Sequence, residues 1–199
     1  VKLSHTKGFP VGKVNFEQLY PLNFIEFLEA LEQARLKDYL LSINKVSQIK
    51  SENTNNIINN SIHEKLIHYL KYYFFIGGMP EAVSSYKDTQ DFKKVRKIHN
   101  DIIKAYDLDF VKHAPSSNVM KITECFHSIT SQLAKENKKF IYSVVREGAR
   151  ARSYDDAIQW LAEAGLFYKV YQVNSPKIPL HAYANQHIFK AYLFDVGLL

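Results

Sequence analysis

The chain has 199 residues, 46% hydrophobic and 23% charged, an ordinary globular composition with enough length to bury a core. The net charge of +6 suits an acidic partner but equally suits a solvated surface. One cysteine, Cys125, excludes an intramolecular disulfide framework and a cysteine-based zinc cluster, and fits a reducing cytoplasm. No apolar run approaches the roughly 18–20 residues that span a bilayer, so no membrane partner is expected.

In chain order, residues 9–20 alternate around Val14, Phe16 and Leu19 and predict a short strand ended by Pro21. Asn23 with Glu26 three residues on is a capping box, and Leu22 with Phe27 is a hydrophobic staple. Together they start a helix that the apolar stripe carries to about Leu41. The stretch 42–60, rich in asparagine, reads as a loop. Ser61 and Glu64 open a second helix, with Ile62, Leu66, Leu70 and Phe74 inward and Gly77 as its stop. Pro80 suits the first turn of a helix to about Tyr86.

A further helix spans about Gln90–Tyr106. Phe92, Val95, Ile98, Ile102 and Tyr106 form its inner face, and Lys93, Lys94, Arg96, Lys97 and Lys104 its outer face. Pro115 breaks the chain before a long helix, about Ser117–Glu136. Residues 138–152 admit a strand or a short helix. Ser153 caps the next helix, with Asp155 and Asp156 in its first turn, and Gly165 ends it. Strands follow at Leu166–Val173 and Ile188–Phe194. The fold class is therefore mainly α, closing on a helix-turn-helix plus small β-hairpin, the element order of a winged helix.

Few constellations point to chemistry. Gly8-Phe9-Pro10-Val11-Gly12-Lys13-Val14 fails as a phosphate loop: the glycines are too close, Pro10 lacks an N–H, and no Ser or Thr follows Lys13. His63 and His68 are five apart, about 140° around a helix, and cannot share a metal as an HExxH pair does. Cys125 reads as a buried structural thiol, and Asp107 and Asp109 as solvated or capping groups. Gly77-Gly78-Met79-Pro80 is the most unusual local feature. It is either a helix stop followed by a helix start, or a corner where exposed backbone meets a flat ligand.

Six blocks together resemble a family of prokaryotic AAA-type ATPases with a C-terminal domain of unknown function. They are Phe9–Val14, Leu19–Leu28, Gly77–Val83, Asn137–Ser143, Trp160–Leu166 and Phe189–Leu199. The resemblance implies that residues 1–22 end a truncated ATPase core. Residues 23–115 would then be its helical lid, with the asparagine-rich loop at 42–60, and 116–199 a winged-helix-like domain. The Walker strands are expected before Val1 and a further region after Leu199. The apolar end and the start at Val1 likewise suggest a fragment of a longer chain.

The resemblance places ATP and magnesium in the intact parent and neither on this fragment alone. Lys13, Gly77, Gly78 and Pro80 would lie against the nucleotide there. The implied partners are the missing core and C-terminal region of the same protein, with self-association through exposed truncation surfaces. Two other functions stay open. One is a DNA-binding regulator using Arg146, Arg150 and Arg152 next to a helix that opens on acidic residues. The other is a protein-interaction module using the tyrosine-rich surface.

Overall fold

A computed structural model describes residues 17–46 and 60–199. Residues 9–16 of the strand predicted within 9–20, the Phe-Pro-Val-Gly block with Lys13, and most of the asparagine-rich stretch lie outside the described residues. Residues 17–20 are irregular, with Leu19 fully exposed. The chain divides into two compact units. One comprises Pro21–Ile103 with Asp195–Leu198, the other Lys104–Phe194 with Leu199 and residues 17–20. The division falls inside a helix, and four residues near the C-terminus belong to the first unit.

The first unit holds α1 (Phe24–Ala30), α2 (Ala34–Val46), α3 (Asn60–Ile76), α4 (Pro80–Thr89) and the beginning of α5 (Phe92–His113). The capping box forms as expected: Asn23 Oδ1 accepts from Ile25 and Glu26, and Glu26 accepts the Asn23 N–H at 2.8 Å. Such a cap is worth about 1 kcal/mol. Leu22 joins the same core cluster as Phe27, which completes the staple.

The single helix expected to Leu41 is instead two. Glu32 takes a left-handed conformation (φ 60°), and the Gln33 N–H closes back on Leu28 O at 2.8 Å. This is a Schellman-type stop. Glycine usually fills that position, and glutamate gives no sequence signal for it. Phe74 also departs from its expected inward place, being 56% exposed. Tyr73 and Ile76 carry that turn of α3 into a core of Phe27, Ala82, Val83, Tyr86 and Val95.

The second unit holds the rest of α5, α6 (Val119–Leu133), α7 (Tyr142–Val145), α8 (Ala151–Glu163), and strands β1 (Phe167–Val173) and β2 (Ala184–Leu193). Helix α5 outruns its expected end because Phe110, fully buried, continues the stripe of Ile102 and Tyr106. The strands pair antiparallel, Phe167 opposite Leu193 and Tyr171 opposite Phe189, with an irregularity after Tyr171. Strand β2 starts four residues earlier than expected and follows a 3-10 turn at Leu180–Tyr183.

The ambiguous segment before α7 is extended, then helical. Phe140 N–H donates to Phe189 O at 2.8 Å, and Gln132 of α6 brackets Ile141 through both its N–H and its C=O. Ser153 does not cap α8. Gly148 (φ 75°) turns the chain earlier, Arg150 is extended at the N-cap, and the Ser153 N–H already bonds Arg150 O. Asp155 and Asp156 are thereby moved out of the first turn. The described residues are thus mainly helical, with a small antiparallel sheet near the C-terminus.

Candidate functional site

The site is built on the corner between α3 and α4. Gly77 ends α3 with φ 74°, a conformation that costs glycine nothing, and its N–H bonds Tyr73 O at 2.8 Å. Pro80 stands at the first turn of α4 behind an extended Met79. Around this turn three remote segments meet. The Leu22 N–H donates to Gly78 O at 2.8 Å, and Tyr73 Oη donates to Leu22 O at 2.9 Å. The Gly78 N–H donates to Asp195 Oδ2 at 2.6 Å, and the Gly197 N–H to Asp195 Oδ1 at 2.8 Å.

The close approach expected at these glycines is present, but protein makes it. A Cβ on Gly78 would stand 2.7 Å from Leu22 N, and one on Gly77 2.8 Å from Gly197 N. Gly77 and Gly78 are buried, and both backbone polar groups of Gly78 are bonded within the unit. These contacts account for the two glycines without a ligand. Pro80 is the exposed member of the corner.

Two titratable groups lie buried beside it. Asp195 is 3% exposed, and burial pushes its carboxyl above the ordinary range, opposed by the Gly78 and Gly197 N–H groups and by His99. His99 on α5 is fully buried. Its Nε2 lies 2.9 Å from Ile76 O, which makes that nitrogen the donor of the neutral ring, and Nδ1 has no partner. Burial pushes His99 below the usual imidazole value, against the pull of Ile76 O and Asp195. This is a clamp of buried polar groups: a carboxylate that gathers two backbone donors, next to an imidazole held neutral. In the sequence pattern Leu22 has only its staple with Phe27, and His99 and Asp195 have no role. The available signals were an acid inside the apolar run Phe194–Leu199 and a histidine on the inward stripe of α5, four after Val95.

Arg146, Arg150 and Arg152 are all exposed along the connection from α7 into α8. Arg146 Nη1 lies 3.6 Å from Glu124 of α6, whose other oxygen accepts from buried Tyr154 at 2.6 Å. Asp155 and Asp156 are exposed nearby, and Asp155 accepts from Tyr142 Oη. Cys125 is fully buried, and burial with Glu124 beside it pushes its thiol up to about 12, so it is inert. Asp107 pairs with His127 at 2.9 Å. Among the described residues, no three His, Cys, Asp or Glu side chains gather to hold a metal, and no helix is long and apolar enough to cross a membrane.

The chain is a mainly helical protein whose C-terminal part carries a β-hairpin and whose α3–α4 corner is clamped by a buried carboxylate. Residues 67–199 match the family described as a domain of unknown function (DUF8612), and the chain belongs to that family. Neither the curated proteins nor the solved structures contain a match.

Proposed function

We propose that the chain is the helical lid and winged-helix portion of an AAA-type ATP-binding protein, an ATPase. Other parts of that protein would hold ATP and magnesium, and nucleotide state would move this portion as a switch. One observation supports the reading. The sequence blocks behind the AAA resemblance converge in space. Leu22 of the second block meets the Gly77–Gly78 block through a backbone hydrogen bond, Asp195 of the last through its carboxylate, and Gly197 through close packing. In the second unit, Phe140 and Leu166 of two further blocks join Phe189 and Phe194 of the last: the Phe140 N–H donates to Phe189 O, and the Phe194 N–H to Leu166 O. Residues matched far apart in sequence are therefore those that fix the fold.

The order α6, extended segment, α7, α8, β1, β2 fits a winged helix, with α8 in the place of the recognition helix. At the corner, Gly78 has no free backbone donor or acceptor for a nucleotide, so contact there falls to the surface of Pro80. Contact with DNA through Arg146, Arg150 and Arg152 stands behind the switch reading. Asp155 and Asp156 project from α8, and Arg146 faces Glu124.

The test is calorimetry with Mg·ATP on this chain and on the longest protein its reading frame encodes. The expected result is no binding below about millimolar for the chain and micromolar binding for the parent. Micromolar binding by this chain alone, or a parent without GxxxxGK[ST], would overturn the reading.

A further inference from the structure

We propose that the outer surface formed by α3 and the start of α5 is a binding site for single-stranded nucleic acid, independent of the α7–α8 arginines and of the nucleotide reading. The surface has two components. The first is aromatic. Phe74 and Phe75 are 56% and 48% exposed at the end of α3, large apolar groups left in water. Phe75 stands edge-on to Phe92, with ring centroids 5.0 Å apart at 86°. Phe92 is backed in turn by Tyr72 and Tyr86. A ring supported along its edge and half open to solvent is a rigid stacking platform, available to any base because every base has a π-face.

The second component is cationic. Lys93, Arg96 and Lys97 are exposed in the first turns of α5, beginning next to Phe92, and Lys71 is exposed one helical turn before Phe75. Residues three or four apart on a helix are neighbours, so Arg96 lies on the side of Phe92 and Lys71 on that of Phe75. None of the four forms an ion pair among the described residues. Elsewhere in this unit Lys37 and Lys87 do, with Glu29 and Glu32. Asp91, the nearest acid in sequence, is turned to the helix end, where it accepts the Lys93 N–H at 2.8 Å. Four exposed cations outside any ion pair, with Arg96 and Lys71 on the sides of the aromatic rings and Asp101 one turn beyond Lys97, match the alternation of phosphate and base along a single strand. A duplex presents phosphates but hides the faces of its bases, and so leaves the rings without a role.

Fluorescein-labelled oligo(dT) of 20 nucleotides, titrated with the full chain and read by anisotropy, tests this. Micromolar binding is expected in 20 mM salt, with log K falling against log salt at a slope of about −3 for four phosphates. The triple reversal Lys93→Glu, Arg96→Glu, Lys97→Glu should abolish it. Phe74→Ala with Phe75→Ala should weaken it about fivefold or more while leaving the salt slope in place. The charge reversals are at exposed positions, and circular dichroism should report an unchanged helical fold for them. No anisotropy change at 20 µM protein would overturn the proposal. So would binding that survives both variants, or binding lost only on reversal of Arg146, Arg150 and Arg152. Sedimentation with anionic phosphatidylserine vesicles in the absence of oligo(dT) binding would assign the surface to a membrane instead and also overturn it.

Discussion

The carboxylate of Asp195 takes the backbone N–H of Gly78 at 2.6 Å, joining residues 117 positions apart in one buried clamp. The strength of this bond comes from its surroundings. The acceptor carries charge, the donor belongs to a glycine that nothing else can satisfy, and water has little access. Asp195→Ala leaves the Gly78 and Gly197 N–H groups without their acceptor and should cost about 1–3 kcal/mol of stability. Urea denaturation at neutral pH measures it. A midpoint equal to wild type would show that the chain end does not dock in solution.

The two ends of the corner should respond oppositely to alanine. At Gly78 a Cβ stands 2.7 Å from Leu22 N, and the neighbour is backbone that cannot rotate away. Gly78→Ala should therefore cost at least the roughly 1–3 kcal/mol of an overpacked site. Pro80 is exposed at the first helical turn, where alanine fits, so Pro80→Ala should change stability by no more than about 1 kcal/mol. Thermal melts of the two variants give the contrast. Equal melting temperatures would remove Leu22 from the corner.

This clamp was half legible in the sequence. Asn23 with Glu26, and Gly77 with Pro80, carry local hydrogen-bonding and backbone rules, so the caps and the corner could be read directly. The partner of the corner could not. Gly78 looked open because its neighbours in sequence leave it open, and Leu22 and Asp195 reach it only through tertiary packing. The stop at Glu32 escaped for a related reason: a left-handed residue other than glycine is fixed by its surroundings, not by its own preference. On α3, a repeat of four placed Phe74 inward, whereas the 3.6-residue turn rotates that row and brings Tyr73 and Ile76 to the core.

His99 sets a pH dependence. Burial holds its folded value below the ordinary 6.5, so the unfolded chain binds the proton more readily. Its contribution to stability is complete above pH 6.5 and is lost as pH falls from there through the folded value. Asp195, shifted upward, works in the opposite sense: its contribution is greatest below 3.8 and is lost as pH rises through its folded value. Arg96 opposes protonation of His99 as well. The stability difference between wild type and His99→Gln isolates the histidine, since glutamine keeps a donor for Ile76 O. That difference should move against wild type as pH drops below 6.5. A difference constant from pH 7.5 to 5 would show that His99 titrates alike in both states.

In the second unit the corresponding clamp is Gln132, 1% exposed on α6. Its Nε2 donates to Ile141 O at 2.8 Å and its Oε1 accepts the Ile141 N–H at 3.0 Å, so one amide pairs with the backbone as a neighbouring strand would. The adjacent Phe140 N–H is then aligned on Phe189 O of β2, with the two rings stacked at 5.2 Å. Gln132→Leu keeps the volume but strands a donor and an acceptor, and should cost roughly 2–4 kcal/mol. Gln132→Glu is the sharper test. Its carboxylate still accepts from Ile141 N–H but faces the Ile141 carbonyl with no proton to offer. Protonation restores the donor, so the folded state should hold that proton more tightly than the unfolded chain. The variant should be closest to wild type in acid and lose stability as pH rises through its raised folded value. Urea midpoints at pH 4.5 and pH 7, each compared with wild type at the same pH, measure the effect. An equal deficit at both would mean that the Ile141 carbonyl does not depend on Gln132.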